Sequence, residues 1–393
     1  MKSLLTTRSA KLAMSLVTGS VRVKILRPEK SIVIYDKVSA NEIRALFQEK
    51  KFVVFDPRFE SVVFLRPLIH GLLNWLRSSL SISFTHHYFV CFLHWLKPSL
   101  VITAADNNRN FFSARKYFQT AESRFVVFQQ GFRWVSELPE SGSLKAKDIV
   151  FCATYAYAIQ WAAVCQMASI IPSGTLGSKQ YLNERVDSLA SAKAGFVSSW
   201  SGDSGRSEWW TNSLGSRIPH SEVHGPEIHQ LKKLMETLRG QKLTLEIIGT
   251  SQFHANSEYS FYEGILGGTG WAFSPRSSDI SSYQKIKDYA VLFSTDSTLG
   301  YEALSSLARV MFLDTSSGAP HRLPFGYPNS SFLEASSLHL RANAMETWDA
   351  QIRSVRDMSL DSFRVLASEV LGEECISIEL SEVIDIVCAD ARE

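Results

Sequence analysis

Two kinds of hydrophobic pattern alternate along the chain. Short unbroken apolar runs, each stopped by a polar or small residue, read as strands buried on both faces. Stretches with apolar residues every three or four positions read as helices with one buried stripe. The runs 31–36 (SIVIYD), 51–56 (KFVVFD), 100–106 (LVITAAD), 124–130 (RFVVFQQ), 148–152 (DIVFC) and 169–172 (SIIP) predict strands. Helical stretches are predicted over 40–49, 65–79, 87–96 and 110–120. A second series follows, with strands predicted at 194–199, 243–248, 289–294 and 309–314. Its helices are predicted at 226–239, 281–288 and 299–308, then at 347–371 and 381–389.

Strand, helix and strand in quick succession make a βαβ unit, which implies a parallel sheet. The length of 393 residues suits two such domains. The expected fold class is therefore α/β: two facing, doubly wound Rossmann-like domains, with C-terminal helices packing back on the first. The boundaries read as a basic segment 1–30, a first domain 31–178, a polar linker 179–193, a second domain 194–346 and a helical segment 347–393. Ligands of such sheets bind outside the carboxyl ends of the strands, so the residues just after each strand carry the most information.

Lys+Arg 41 against Asp+Glu 39 gives a net charge of +2, which argues against a general nucleic-acid binder. The balance hides an asymmetry: Lys2, Arg8, Lys11, Arg22, Lys24, Arg27 and Lys30 face the single acid Glu29. The first 25 residues read either as a basic amphipathic helix for an anionic membrane surface or as a solvated terminus. The longest apolar stretch, 79–95, is interrupted by His86 and His87, so no membrane span is expected. Five cysteines without metal-ligand spacing read as reduced thiols of a cytoplasmic protein. His220, His224, His229 and His254 form no metal motif, and neither a resident metal nor a cofactor is expected.

The sharpest candidate site is 293–302 (FSTDSTLGYE), a buried strand, a hydroxyl-rich turn and a helix. Ser294, Asp296, Ser297 and Thr298 surround a helix N-terminus that suits a phosphate. Gly300 would allow close approach of backbone, and Glu302 would accept bonds from ribose hydroxyls. The same pattern also fits an ordinary N-cap. In the first domain, Asp106 and Asn107 follow a strand and read either as base and sugar ligand or as Asx-turn capping. Gln130 and Arg133, around Gly131, read as a ligand-facing or a plain turn. Ser199 and Asp203 follow the opening strand of the second domain, with Asp203 a candidate nucleophile or base or part of a polar loop.

The segment 288–304 with 310–313 (VMFL) resembles the donor-binding segment of bacterial capsule and lipopolysaccharide O-antigen glycosyltransferases of GT-B type. Ile34–Lys37, Ala105–Asn107, Gln129–Gly131, Ile171–Gly174 and Tyr259–Phe273 are similar in order to further landmarks of that family. The resemblance implies a metal-independent transferase on the inner face of the bacterial inner membrane, with a nucleotide-sugar donor and a lipid-linked or oligosaccharide acceptor. Within the family, the Kdo-transferase group uses CMP-linked ulosonic acids, which makes CMP-Kdo the expected donor. Where relatives often carry basic or amide residues, this chain has Ser201–Gly205 (SGDSG), which leaves the catalytic group open. A sugar-nucleotide epimerase or hydrolase on the same fold, and a non-catalytic nucleotide-binding subunit of a polysaccharide assembly complex, are the alternatives.

Overall fold

The computed structural model describes residues 22–25, 32–37, 40, 43–44, 47, 52–58, 62–78, 82–118, 123–131, 138, 143–181, 191–198, 200, 209–211, 217–250, 254–276, 282–295, 297–314 and 330–389. The chain divides into two compact units. The first holds residues 1–153, 157–176 and 378–393, and the second holds 154–156 and 177–377.

The apolar runs of the first unit form six parallel strands: β1 (Ile32–Tyr35), β2 (Phe52–Phe55), β3 (Leu100–Thr103), β4 (Arg124–Phe128), β5 (Ile149–Cys152) and β6 (Ser169–Pro172). Their order is β2-β1-β3-β4-β5-β6. Strands β1, β3 and β5 are buried at every position, as central strands of a sheet covered on both faces must be. One face packs with Ala40, Ile43 and Phe47, and the helix Leu380–Cys388 returns from the far end of the chain to add Val383 and Val387. The other face holds an aromatic cluster in which Tyr35, Phe55, Phe89 and Phe111 interlock at centroid distances of 4.5–6.4 Å.

The second unit repeats the scheme with β7 (Lys193–Val197), β8 (Thr244–Ile248), β9 (Trp271–Ser274), β10 (Val291–Ser294), β11 (Val310–Leu313) and β12 (His339–Leu340). All pairings are parallel, in the order β9-β8-β7-β10-β11-β12. That is the Rossmann order, whose strand sequence reverses between β7 and β10. In the first sheet the reversal lies between β1 and β3. The helices Trp348–Asp357 and Leu360–Leu371 belong to this second unit, so the segment 347–393 is shared between the units.

Two departures from the sequence reading have physical reasons. The helix Tyr155–Val164 (YAYAIQWAAV) has no polar stripe to betray its period. Arg22–Lys24 is a strand paired in parallel with Val62–Phe64, so the basic segment does not continue as a helix to residue 25. The stretch 79–95 contributes to the helix Phe84–Leu96, whose Tyr88, Phe89, Phe92 and Leu93 are buried core. No helix among the described residues is long and apolar enough to cross a membrane. All five cysteines are free thiols, and four are buried.

Candidate functional site

At the reversal point of the second sheet, β10 ends at Ser294 and the helix Thr298–Ser305 begins four residues later. Ser297 is its N-cap and makes no side-chain capping bond, and Ser297 and Thr298 are half-buried. The first N–H groups of a helix have no partner inside it, so this terminus offers donors, hydroxyls and a positive dipole end together. Asp296 lies outside the described residues.

Ser294 and Gly300 are placed differently from the sequence reading. Ser294 is fully buried, and its Oγ finds no hydrogen-bond partner among the described residues. A Cβ on Gly300 would stand 2.6 Å from Ser294 Cβ and Oγ. Gly300 is therefore needed so that the helix can close on the strand beneath it. Glu302 is buried, and its Oε1 accepts a bond from Tyr283 Oη at 3.1 Å.

Beside this terminus, the turn after β7 is fixed by a polar network missing from the sequence reading. Ser198 Oγ donates to Glu258 Oε1 at 2.5 Å and lies 2.9 Å from Tyr262 Oη. Glu258 Oε1 also accepts from Thr250 N at 3.0 Å, and Thr250 Oγ1 donates to the Trp200 carbonyl at 3.2 Å. Tyr262 Oη reaches Glu227 Oε1 at 3.3 Å. One buried carboxylate thus ties the turns after β7 and β8 together. The only local clue was the spacing of Glu258 and Tyr262, four apart on one helix face. Ser199 and Asp203 lie outside the described residues.

In the first unit the edge loops are occupied with one another. Asn108 caps the helix Arg109–Tyr117 by accepting from the N–H groups of Asn110 and Phe111, and it also accepts from Tyr35 Oη at 3.0 Å. This is the capping alternative for that turn. Asp106 is almost fully buried, while Asn107 is exposed. Gln129 donates to the Gly131 carbonyl and accepts from Ala153 N, stapling the turn shut. Gln130 is half-buried, and Arg133 lies outside the described residues. Among the described residues no three His, Cys, Asp or Glu side chains gather as metal ligands.

Residues 166–342 match a family model described as "putative O-antigen biosynthesis protein". No curated protein sequence matches the chain. Among solved structures, the chain is similar to a "putative UDP-N-acetylglucosamine 2-epimerase" from Listeria monocytogenes, with 11% identity and a TM-score of 0.55 over 92% of this chain and 97% of that one. It is similar to S. aureus MnaA, solved with UDP, at 12% identity and a TM-score of 0.51 over 93% and 97%. The lipopolysaccharide outer core galactosyltransferase WaaB aligns at 14% identity and a TM-score of 0.43 over 92% and 99%. The resemblance of the donor segment to surface-carbohydrate biosynthesis proteins is borne out over residues 166–342, and the two Rossmann-like sheets give the chain the GT-B fold.

Proposed function

We propose that the protein is a glycosyltransferase that moves a sugar from a nucleotide-sugar donor to a growing cell-surface glycan of lipopolysaccharide or capsule. The observation that carries the reading is the helix N-terminus at the reversal point of the second sheet, inside the segment similar to O-antigen biosynthesis proteins. There the donor phosphate would meet the N–H groups and hydroxyls of Ser297 and Thr298. In transfer, the acceptor hydroxyl oxygen bonds to the anomeric carbon as the bond to the phosphate oxygen breaks. The nucleotide leaves with the electron pair, and the hydroxyl proton passes to a base. The helix dipole stabilises the charge growing on the leaving phosphate, so this reading calls for no metal. CMP-Kdo or a related CMP-ulosonic acid is the proposed donor. Burial of Asp106 favours Asp203 as the carboxylate to test.

The name of the Listeria neighbour favours a second reading, epimerisation or hydrolysis of a sugar nucleotide on the same site. Nucleotide release from CMP-Kdo, UDP- and GDP-sugars, measured with and without a lipid-linked acceptor, separates the two. Transfer requires release to depend on acceptor. Turnover of donor alone at full rate supports the second reading and removes the first. Ser297→Ala/Thr298→Val should weaken donor binding about tenfold, as loss of bonds to a charged group does. Asp203→Ala should abolish transfer while leaving donor binding intact.

A further inference from the structure

The helix Leu65–Arg77 (LRPLIHGLLNWLR) turns the usual relation of helix and core around. A helix on a globular domain buries its large apolar residues. This one buries only Pro67 and Gly71, and it packs against the helix Phe84–Leu96. The contact is close: a Cβ on Gly71 would stand 2.7 Å from Tyr88 Cα. Meanwhile Leu65, Ile69, Leu72, Leu73 and Leu76 are 36–61% exposed. At 3.6 residues per turn these five fall within an arc of about 100°, with Arg66, Arg77 and His70 next to it on one side. Single exposed aliphatic side chains are ordinary, but five on one stripe are not.

The strand Arg22–Lys24 lies beside this helix in the fold, because it pairs with Val62–Phe64, which runs directly into Leu65. It adds exposed Val23, Ile25, Arg22 and Lys24. Neither 22–25 nor 62–78 contains a carboxylate. Two copies joined through this face would set like charges against each other, whereas an anionic surface complements them. The helix is about 20 Å long, too short to span a bilayer and suited to lying in its interface.

We infer that Leu65–Arg77, flanked by Arg22–Lys24, is a docking surface for an anionic lipid bilayer. The leucine stripe enters the boundary between headgroups and acyl chains while the arginines and lysine meet lipid phosphates. The inference concerns lipid contact and not sugar chemistry, so it stands or falls separately from the proposed transfer reaction.

Co-sedimentation of the full chain with phosphatidylglycerol and phosphatidylcholine vesicles tests it. Binding should favour phosphatidylglycerol. It should fall at least tenfold in Leu72→Glu/Leu76→Glu and roughly 25-fold in Arg66→Gln/Arg77→Gln, about fivefold for each charge removed. Thermal melts of these surface variants should match the parent. As a gain of signal independent of folding losses, Leu72→Trp should add a blue-shifted emission on mixing with phosphatidylglycerol vesicles. Unchanged binding in the Glu variant, equal binding to both lipids, or no shift of the new tryptophan would overturn the inference. So would a parent dimer that the Glu variant converts to monomer, which would assign the face to a second copy of the chain.

Discussion

The two sheets differ at their carboxyl edges more than in their strands. In the first unit, several polar groups after the strands are held by the protein itself: Asn108 caps, Gln129 staples, and Asp36 pairs with Arg58 at 3.4 Å. In the second, Ser297 makes no side-chain capping bond, Ser294 keeps a buried hydroxyl without a hydrogen-bond partner among the described residues, and Glu258 braces the turns next to them. A turn whose hydrogen bonds are already made gains little from a ligand. One held rigid by its neighbours with donors unused is preorganised to receive one.

Substitutions in the first unit should therefore cost stability, and those around Ser297 should bear on binding. The largest loss is expected away from both edges. Arg115 bonds Asp148 at 2.7 Å with both side chains buried, and Asp148 also accepts from Phe125 N and Lys145 N. Arg115→Ala would strand a buried carboxylate and cost about 3–5 kcal/mol in urea unfolding.

Next comes acid. Burial, aided by the neighbouring His87, lowers the His86 pKa to about 4. The unfolded chain takes up that proton near its ordinary value while the folded chain resists it. Stability should fall as pH drops from about 6.5 to about 4, by about 1–2 kcal/mol once solvent screening is allowed for. Urea melts of His86→Gln should lack that part of the slope.

Asn108→Ala removes a cap and leaves the buried Tyr35 hydroxyl without this acceptor. It should cost about 2 kcal/mol and leave donor titrations unchanged. Gly300→Ala gains about 1 kcal/mol of helix propensity but meets Ser294, and overpacking costs about 1–3 kcal/mol. A net loss of about 1 kcal/mol, with weaker donor binding because the first helical turn shifts, is the expected result in paired melts and titrations. The smallest effect has the opposite sign. Ser294→Ala deletes a buried, unpartnered hydroxyl and should raise stability by up to about 1 kcal/mol. A destabilised Ser294→Ala, or an Asn108→Ala that lost donor binding, would break the contrast between the edges.

The turn before Thr298 was legible because all its parts are local. Strand, hydroxyls and helix follow within ten residues, and their order alone announces a helix N-terminus at a sheet edge. The burial of Asp106 was not legible for the complementary reason: a carboxylate after a strand looks the same in sequence whether it is exposed or buried. Ser198 gave no hint of Glu258, because its partner lies 60 positions away. The helix Tyr155–Val164 escaped because its composition is apolar on every side.

The sequence by itself determined the class of fold, since unbroken apolar runs alternating with helical stripes fit only parallel sheets covered on both faces. It also determined the chemical character of the turn before Thr298. Tertiary structure decided which polar groups are already paired, because hydrogen bonds between distant turns depend on how strands are ordered across the sheet. It decided the fate of Leu65–Arg77 as well. The heptad-like spacing of its leucines reads as a core-facing helix, but the close contact of Gly71 with Tyr88 turns the opposite face inward and leaves the leucines on the surface.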